Sequence, residues 1–387
     1  MFEIIDKQEA DGAIKADTII KVVGVGGAGG NAVDHMIREG VQGVEFIAAN
    51  TDAQALRNCQ AANKLALGTL GAGGRPEAGR AAAESHREDI RKYLEGTRMV
   101  FITAGMGGGT GTGAAPIVAE VAREMGVLTV GVVSKPFSFE GGKRMKNAET
   151  GIIEFSQHVD SLIVILNDKL QEVMGEDAGV DECFRAADDV LKNAVGGISE
   201  IVTNHGLVNV DFEDVCTVMG ETGRAMMGSA SASGLDRARI AAEQAVASPL
   251  LESVNLAGAR GVLVNITAAR ASLRMREVTE VMATIENFAA EDAHIIFGAV
   301  YDEHMGDQLR VTVVATGLGQ VQAQETERPP LTVIRTGTHD QFGNPDPGYD
   351  PEIPAAVRRG RRATIAALEN SGIPKQDIPS FLRKQAD

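Results

Sequence analysis

The residues with the clearest chemistry are Gly107-Gly108-Gly109-Thr110-Gly111-Thr112-Gly113. Glycines without a Cβ let consecutive backbone N–H groups converge on an anion, and Thr110 and Thr112 add hydroxyls to the same nest. A strand-like apolar segment, Met99 to Ala104, leads into the run, and a helix-like segment, Ala114 to Met125, follows with Pro116 read in its first turn. Strand, glycine turn and helix start together make a phosphate cradle, because the positive end of the helix dipole faces the bound charge. The alternative, a flexible glycine linker, is not normally bracketed in this way. The Lys of the G-x-x-x-x-G-K-[ST] pattern is missing, which leaves amides, hydroxyls and a metal ion to meet the phosphate charge.

A second cluster, Gly24-Val25-Gly26-Gly27-Ala28-Gly29-Gly30-Asn31, satisfies G-x-G-x-x-G between a strand-like Thr18 to Val23 and a helix-like Ala32 to Glu39. Alone it fits a dinucleotide fold, with Glu45 or Asp52 as the ribose partner, and thus a cofactor-binding oxidoreductase. Two phosphate-type loops in one α/β unit point instead to a nucleoside di- or triphosphate held along the ends of several strands. Further on, Asp211 and Asp214 are three residues apart at an expected helix start, with Asp211 available as its N-cap. Capping is the ordinary role of such an Asp. As chemistry, the pair could orient an attacking water or hold a cation against a terminal phosphate. No Lys or Arg occurs in Asn209 to Val215, so this segment carries no arginine finger.

These residues need a scaffold, and the chain's patterning supplies one. Apolar runs at Ile19 to Val23, Val44 to Ala48, Met99 to Ala104, Leu128 to Val133 and Leu162 to Leu166 alternate with amphipathic stretches, which predicts a parallel sheet with helices on both faces. Ligands of such sheets gather at the strands' carboxyl ends, where both glycine loops fall. From Asp181 to His205, apolar residues recur at three- and four-residue steps, the pattern of a long buried helix. Beyond it, helix-like Leu235 to Ala247 and Val278 to Asn287 and strand-like Gly261 to Thr267, Ile295 to Tyr301 and Leu309 to Thr316 predict a smaller α+β unit. The polar stretch from about Leu318, with Pro329, Pro330, Pro345, Pro347, Pro351 and Pro354, reads as a disordered linker.

The 387 residues, 44% hydrophobic, have the length of two or three domains. No apolar run reaches membrane-spanning length and the N-terminus is polar, so direct membrane insertion is not expected and a cytoplasmic location is. Cys59, Cys183 and Cys216 are too scattered for a disulfide framework or a zinc site. A net charge of −16 argues against nonspecific nucleic-acid binding. Ala356 to Asp387 nevertheless carries seven basic residues against three acidic ones, a formal +4 that leaves −20 on the rest.

Extended to Ala104-Gly105-Met106 through Ala114-Ala115-Pro116, the first glycine run resembles the signature loop of the tubulin and FtsZ superfamily, in its FtsZ branch. Asn50-Thr51-Asp52-Ala53-Gln54, Leu70-Gly71-Ala72-Gly73, Pro136-Phe137-Ser138-Phe139-Glu140-Gly141, Asn167-Asp168-Lys169-Leu170 and Asn209 to Val215 match in the same order. The similarity runs from about Lys21 to Gly317 and returns in Asp377 to Lys384. It implies a tubulin/FtsZ-like α/β fold: an extension over 1–17, a GTP-binding domain over 18–180, a central helix and loop over 181–209, an α+β activating domain over 210–317, a linker over 318–376 and a partner-binding peptide over 377–387. The implied activity is GTP hydrolysis to GDP with Mg²⁺, coupled to head-to-tail self-assembly into the division ring beneath the inner membrane.

By the same resemblance, Gly27, Ala28, Gly29 and Gly30 lie near the phosphates, Asn31 near the base, and Ala72 and Gly73 near the terminal phosphate. Gly107, Gly108, Gly109, Thr110, Gly111 and Thr112 cradle the diphosphate, with Glu140 and Arg144 at the ribose and adjoining phosphate. Phe184 stacks on guanine, and Asp188 or Asp189 accepts from its N1–H and N2 amine, a pairing adenine cannot make. Asn209, Asp211 and Asp214 complete the site on the next subunit's nucleotide. Read without the resemblance, Phe184 could be core, and Glu140 with Arg144 an i,i+4 surface pair.

Two departures stand out. Asp188 occupies a position where the family usually has Asn, and Lys64 to Leu70 is a few residues short before the γ-phosphate-sensing turn, so a nucleotide-binding filament whose hydrolysis is lost or slowed is the third reading. In the final peptide, Asp377 can cap a short helix with Pro379 in its first turn, placing Ile378, Phe381 and Leu382 on one side. It resembles the docking tail that binds membrane-tethering division proteins such as FtsA and ZipA, and assembly regulators are expected as further partners. Arg358-Arg359-Gly360-Arg361-Arg362 reads equally as an anion-binding patch or a solvated segment.

Overall fold

The computed structural model describes residues 20–175, 177–203, 210–221, 223–248, 259–290 and 293–318. The expectations for Asn209, residues 1–17, Arg358 to Arg362 and Asp377 to Lys384 lie outside these residues, as does the linker beyond Leu318.

Six parallel strands, β1 (Ile20–Val25), β2 (Val44–Asn50), β3 (Asn63–Ala66), β4 (Met99–Gly105), β5 (Leu128–Lys135) and β6 (Ser161–Leu166), lie in the order β3-β2-β1-β4-β5-β6. Every residue of β1 is buried, including Lys21, whose ammonium donates to the carbonyl oxygens of Tyr93 and Glu95. Near-continuous apolar runs are what a sheet covered on both faces requires. The helices α1 (Gly26–Arg38), α2 (Ala53–Asn58), α3 (Pro76–Ser85), α4 (Arg87–Leu94), α5 (Thr110–Glu124), α6 (Gly142–Ser156) and α7 (Asn167–Met174) supply that cover. On one face Ile102 and Val100 pack with Leu94 of α4, Val118 of α5 and Phe155 of α6. On the other, Phe101 and Val132 pack with Met36 of α1 and with Leu191 and Ile198 of the long helix α8 (Val180–Thr203).

After α8 come α9 (Phe212–Met219), β7 (Gly223–Ser233), α10 (Arg237–Val246), β8 (Gly261–Ala268), α11 (Met275–Glu286), β9 (His294–Tyr301) and β10 (Gln308–Leu318). β10 runs antiparallel between β7 and β8, and β9 pairs parallel with β8. A buried ion pair from Arg237 to Glu277, 2.6 Å, ties α10 to α11. The two strand sets are not joined by α8 alone: β7 pairs parallel with β6 at Ser161↔Gly223, Leu162↔Arg224 and Ile163↔Ala225, giving one ten-stranded sheet.

Three local expectations change. α5 begins at Thr110 rather than Ala114, so Pro116 sits in its second turn, where its missing N–H leaves the Thr112 carbonyl without an i+4 donor. Residues Gly111 to Ala119 are buried throughout, and that packing holds the helix across the proline. α1 likewise begins at Gly26, which makes the glycine cluster its opening turns rather than a loop. β3 and β7 were not anticipated.

Candidate active site

β1 and β4 are neighbours in register, Val25 beside Ala104, so the two glycine segments leave the carboxyl ends of adjacent strands side by side. A Cβ on Gly26 would lie 2.9 Å from the Gly111 amide nitrogen. α1 and α5 therefore start together, and neither has a side-chain cap, since their N-cap positions are Val25 and Gly109. α2 by contrast is capped by Asp52, which accepts from the Gln54 and Ala55 amides. Among the described hydrogen bonds none uses the amides of Gly108, Gly109, Thr110 or Gly111. Two uncapped helix starts with unclaimed N–H groups form a built anion site and fit a phosphate chain.

Side chains shape this cradle from behind. Gly107 adopts φ +99°, a conformation that favours glycine, and its N–H donates to the Thr112 hydroxyl at 2.8 Å. Thr112 is 2% exposed, so its hydroxyl braces the loop instead of facing outward as expected. Thr110 hydrogen-bonds Thr51 at 2.6 Å, a link the sequence reading missed. The Gly71 amide donates to the Thr51 carbonyl, and a Cβ on Gly109 would lie 2.7 Å from the Ala72 Cβ, so the Leu70 to Gly73 turn is drawn onto the cradle with Gly73 exposed. Arg144 reaches the far side: a Cβ on Gly107 would lie 2.6 Å from its carbonyl oxygen. Its guanidinium pairs with Glu140 at 3.0 Å, while Glu140 also accepts from the Phe137 amide. In α1, Gly27 and Ala28 are exposed and Gly30 partly so, whereas Gly29 is buried and packs on the Thr103 carbonyl.

Beside the cradle, Phe184 is not core: it is 41% exposed and meets Phe137 edge-on, with centroids 5.2 Å apart. Asn31 is exposed on α1, where a cavity of about 200 Å³ between α1 and α2 includes Gly27, Gly30, Asn31 and Asn50. The adjacent acids of α8 differ sharply. Burial would raise the Asp189 carboxyl, but hydrogen bonds from His35 at 2.9 Å and Lys192 at 3.1 Å outweigh it and hold the group below the ordinary carboxylate range. Asp188 has no hydrogen bond or ion pair among the described residues, and burial together with neighbouring Asp189 pushes its carboxyl up to about 6, against His35 and Arg38. A larger cleft of about 550 Å³, lined by Lys192, Gly196, Glu200 and Arg310, lies apart from the residues the loops assemble. The oxidoreductase reading loses its ribose acid: Asp52 is spent as the α2 cap, and Glu45 binds Lys21 and Asn63.

Asp211 and Asp214 stand elsewhere. Asp211 caps α9, its carboxylate accepting from the Asp214 amide at 2.7 Å, and both residues are exposed. α9 meets the parallel-sheet half at Arg98, which pairs with Glu213 at 3.1 Å and lies over the Phe212 ring at 4.9 Å from its centroid. Arg98 precedes β4 and Gly107 follows it, so the acids and the cradle are separated by the length of a seven-residue strand, roughly 20 Å. The chain's own cradle is at one end of the sheet and its carboxylate pair at the other. Among the described residues no group of three or more His, Cys, Asp or Glu side chains is placed to hold a metal ion.

Comparison with known proteins agrees with this architecture. Residues 19–175 match the Tubulin/FtsZ family GTPase domain and residues 223–319 the FtsZ family C-terminal domain. The chain is 52% identical to the cell division protein FtsZ of Pseudomonas aeruginosa and 51% identical to that of Pseudomonas putida, each alignment covering 100% of both chains. Among solved structures it resembles an empty FtsZ dimer from M. jannaschii, with a TM-score of 0.76 and 42% identity over 81% of this chain and 92% of that one. The fold is shared with CetZ2 from Haloferax volcanii, solved as a GTPγS-bound protofilament, at a TM-score of 0.68 and 21% identity over 80% and 96% of the two chains. The chain belongs to the FtsZ family of tubulin-like cell-division GTPases.

Proposed function

We propose that this GTPase assembles head to tail into the filaments of the division ring and hydrolyses GTP at a site made by two subunits. The observation that carries this reading is the roughly 20 Å between cradle and carboxylates, the rise of a seven-residue strand. No side-chain rotation brings Asp211 or Asp214 to the nucleotide of its own chain, but stacking one subunit on the next brings one subunit's α9 over the other's cradle.

The amides of Gly108 to Gly111 and the two helix dipoles bind the phosphates, with Gly27, Ala28 and Gly30 along their flank. Ala72 and Gly73 lie over the terminal phosphate, Arg144 neutralises an adjoining one, and Glu140 reaches the ribose. Phe184 stacks on the base. Asp188, rather than Asp189, accepts from guanine N1–H and N2–H, because Asp189 is already held by His35 and Lys192. Mg²⁺ would be held mainly by the oxygens of the bound triphosphate and would supply charge neutralisation there. Asp214 of the incoming subunit, together with Asn209 and Asp211, orients the attacking water, and Asp211 also fixes the turn that presents Asp214. The tail, Asp377 to Lys384, tethers filaments to membrane-bound partners at the division site.

Phosphate release from GTP and ATP, followed with light scattering as protein concentration rises, tests this. A concentration threshold, GTP preference and loss of release in Asp214→Ala are expected. Release proportional to protein from the lowest dose would overturn the shared site.

A further inference from the structure

The three acids that open α9, the N-cap Asp211 and Glu213 and Asp214 of the first turn, are all exposed, and the segment that carries them has no basic residue. Presenting them to a triphosphate brings like charges together. The inner face of α9 is buried through Val215, Val218 and Met219, and its far end is pinned by the Thr316 hydroxyl, which donates to the Val218 carbonyl at 2.7 Å. The opening turn has a different tie. Arg98 places its guanidinium over Phe212 and pairs with Glu213, so it grips the two residues between Asp211 and Asp214. It does so from the residue before β4, a strand buried in the middle of the sheet.

The surrounding field is negative. The Cys216 thiol, one turn further along α9, is pushed up to about 11 by burial and Glu213, with Asp160 and Asp211 adding and Arg98 opposing. Arg123 lies 3.7 Å from Asp160 and is directed there, which leaves Arg98 as the cation in contact with the opening turn of α9 among the described residues.

We propose that Arg98 is a positioning residue for hydrolysis in trans: it sets the angle of the opening turn of α9 and offsets its charge, so that Asp214 can approach the neighbour's nucleotide. A planar guanidinium suits both tasks, since it stacks on a ring and bonds a carboxylate at once. The inference rests on the shared-site reading above.

The test compares Arg98→Ala, Arg98→Lys and Asp214→Ala in the full chain. Arg98→Ala should lose turnover per assembled subunit by roughly five- to twentyfold, the scale of one cation–π contact and one ion pair removed together. GTP affinity measured below the assembly threshold should stay at the parental value, and the melting temperature should fall by only about 2–4 °C, the cost of two surface contacts. Arg98→Lys keeps the charge without the flat fork and should recover only part of the loss. Parental turnover in Arg98→Ala, with Asp214→Ala inactive, would overturn the role of Arg98 alone. A fall in GTP affinity together with a larger fall in melting temperature would also overturn it, by making Arg98 a general structural residue. Full turnover in Asp214→Ala would instead overturn the shared site itself.

Discussion

Replacing Asp188 with Asn separates the two acids of α8 by a pH profile. The Asp188 carboxyl stands at about 6 against an ordinary 3.8. A difference of about two units corresponds to about 3 kcal/mol as an upper bound, and partial solvent access reduces it to about 1–2 kcal/mol. Because the folded-state value is the higher one, the protonated group favours the fold below about pH 4, and this contribution disappears as pH rises through about 6. Above that, Asp188 remains ionised at a cost to stability, and Asp188→Asn should be the more stable chain at neutral pH by about 1 kcal/mol. Nucleotide binding has the opposite preference, since guanine donates to the ionised carboxylate. With a value of about 6, roughly a quarter of Asp188 is ionised at about pH 5.5, so guanine-nucleotide affinity should fall about fourfold from its neutral value. Titration with a fluorescent GDP analogue below the assembly threshold reads this directly. In Asp188→Asn the fourfold fall should vanish. A parent whose affinity is flat over this range, or a variant with the parental slope, would refute the assignment of Asp188 to the base.

Asp211 can be separated into cap and catalyst. Asp211→Ala should cost about 1 kcal/mol in urea unfolding while Asp211→Asn, which still caps, should not; both should lose GTP turnover if the charge acts on the neighbour's site. Gly107→Ala forces a side chain onto φ +99° and to 2.6 Å from the Arg144 carbonyl, so a loss of about 1–3 kcal/mol is expected in thermal melts, together with weakened GTP binding. Phe184→Ala, at an exposed ring, should shift unfolding by less than about 0.5 kcal/mol yet weaken guanine-nucleotide binding about tenfold, the scale of one lost base stack, as calorimetry below the threshold would show.

The parallel sheet was legible because each of β1, β2, β4, β5 and β6 is a short apolar run closed by a turn signal, the pattern expected of strands covered on both faces. The long helix was legible from its apolar stripe, Ala187, Leu191, Ala194, Val195, Ile198 and Ile201. β7 was not, since Gly-Arg-Ala-Met-Met-Gly-Ser-Ala-Ser-Ala-Ser has no β-branched residue and becomes a strand by pairing along β10 and, at its start, with β6. The continuity of the sheet across β6 and β7 was hidden for the same reason. Composition announced the cradle, but not how it is braced. Whether Thr112 faces a ligand or its own loop depends on the start of α5, and glycine-rich helix starts carry little boundary signal. The distinction between Asp188 and Asp189 lies in contacts with His35 and Lys192, of which His35 is 154 residues distant in sequence from Asp189. Arg98 escaped notice because its partners, Phe212 and Glu213, meet it only in the folded chain.

The central claim is that one subunit holds the nucleotide and the next supplies the carboxylate. Complementation tests it most directly: Asp214→Ala, which keeps its own cradle, is mixed with Gly107→Ala, which keeps Asp214, and phosphate release is followed in the mixture. Each chain alone should turn over little GTP, and mixing should restore release, because Gly107→Ala subunits present Asp214 to the nucleotides held by Asp214→Ala subunits. A mixture that stays inactive while both chains sediment in the same filaments would contradict a site shared between subunits.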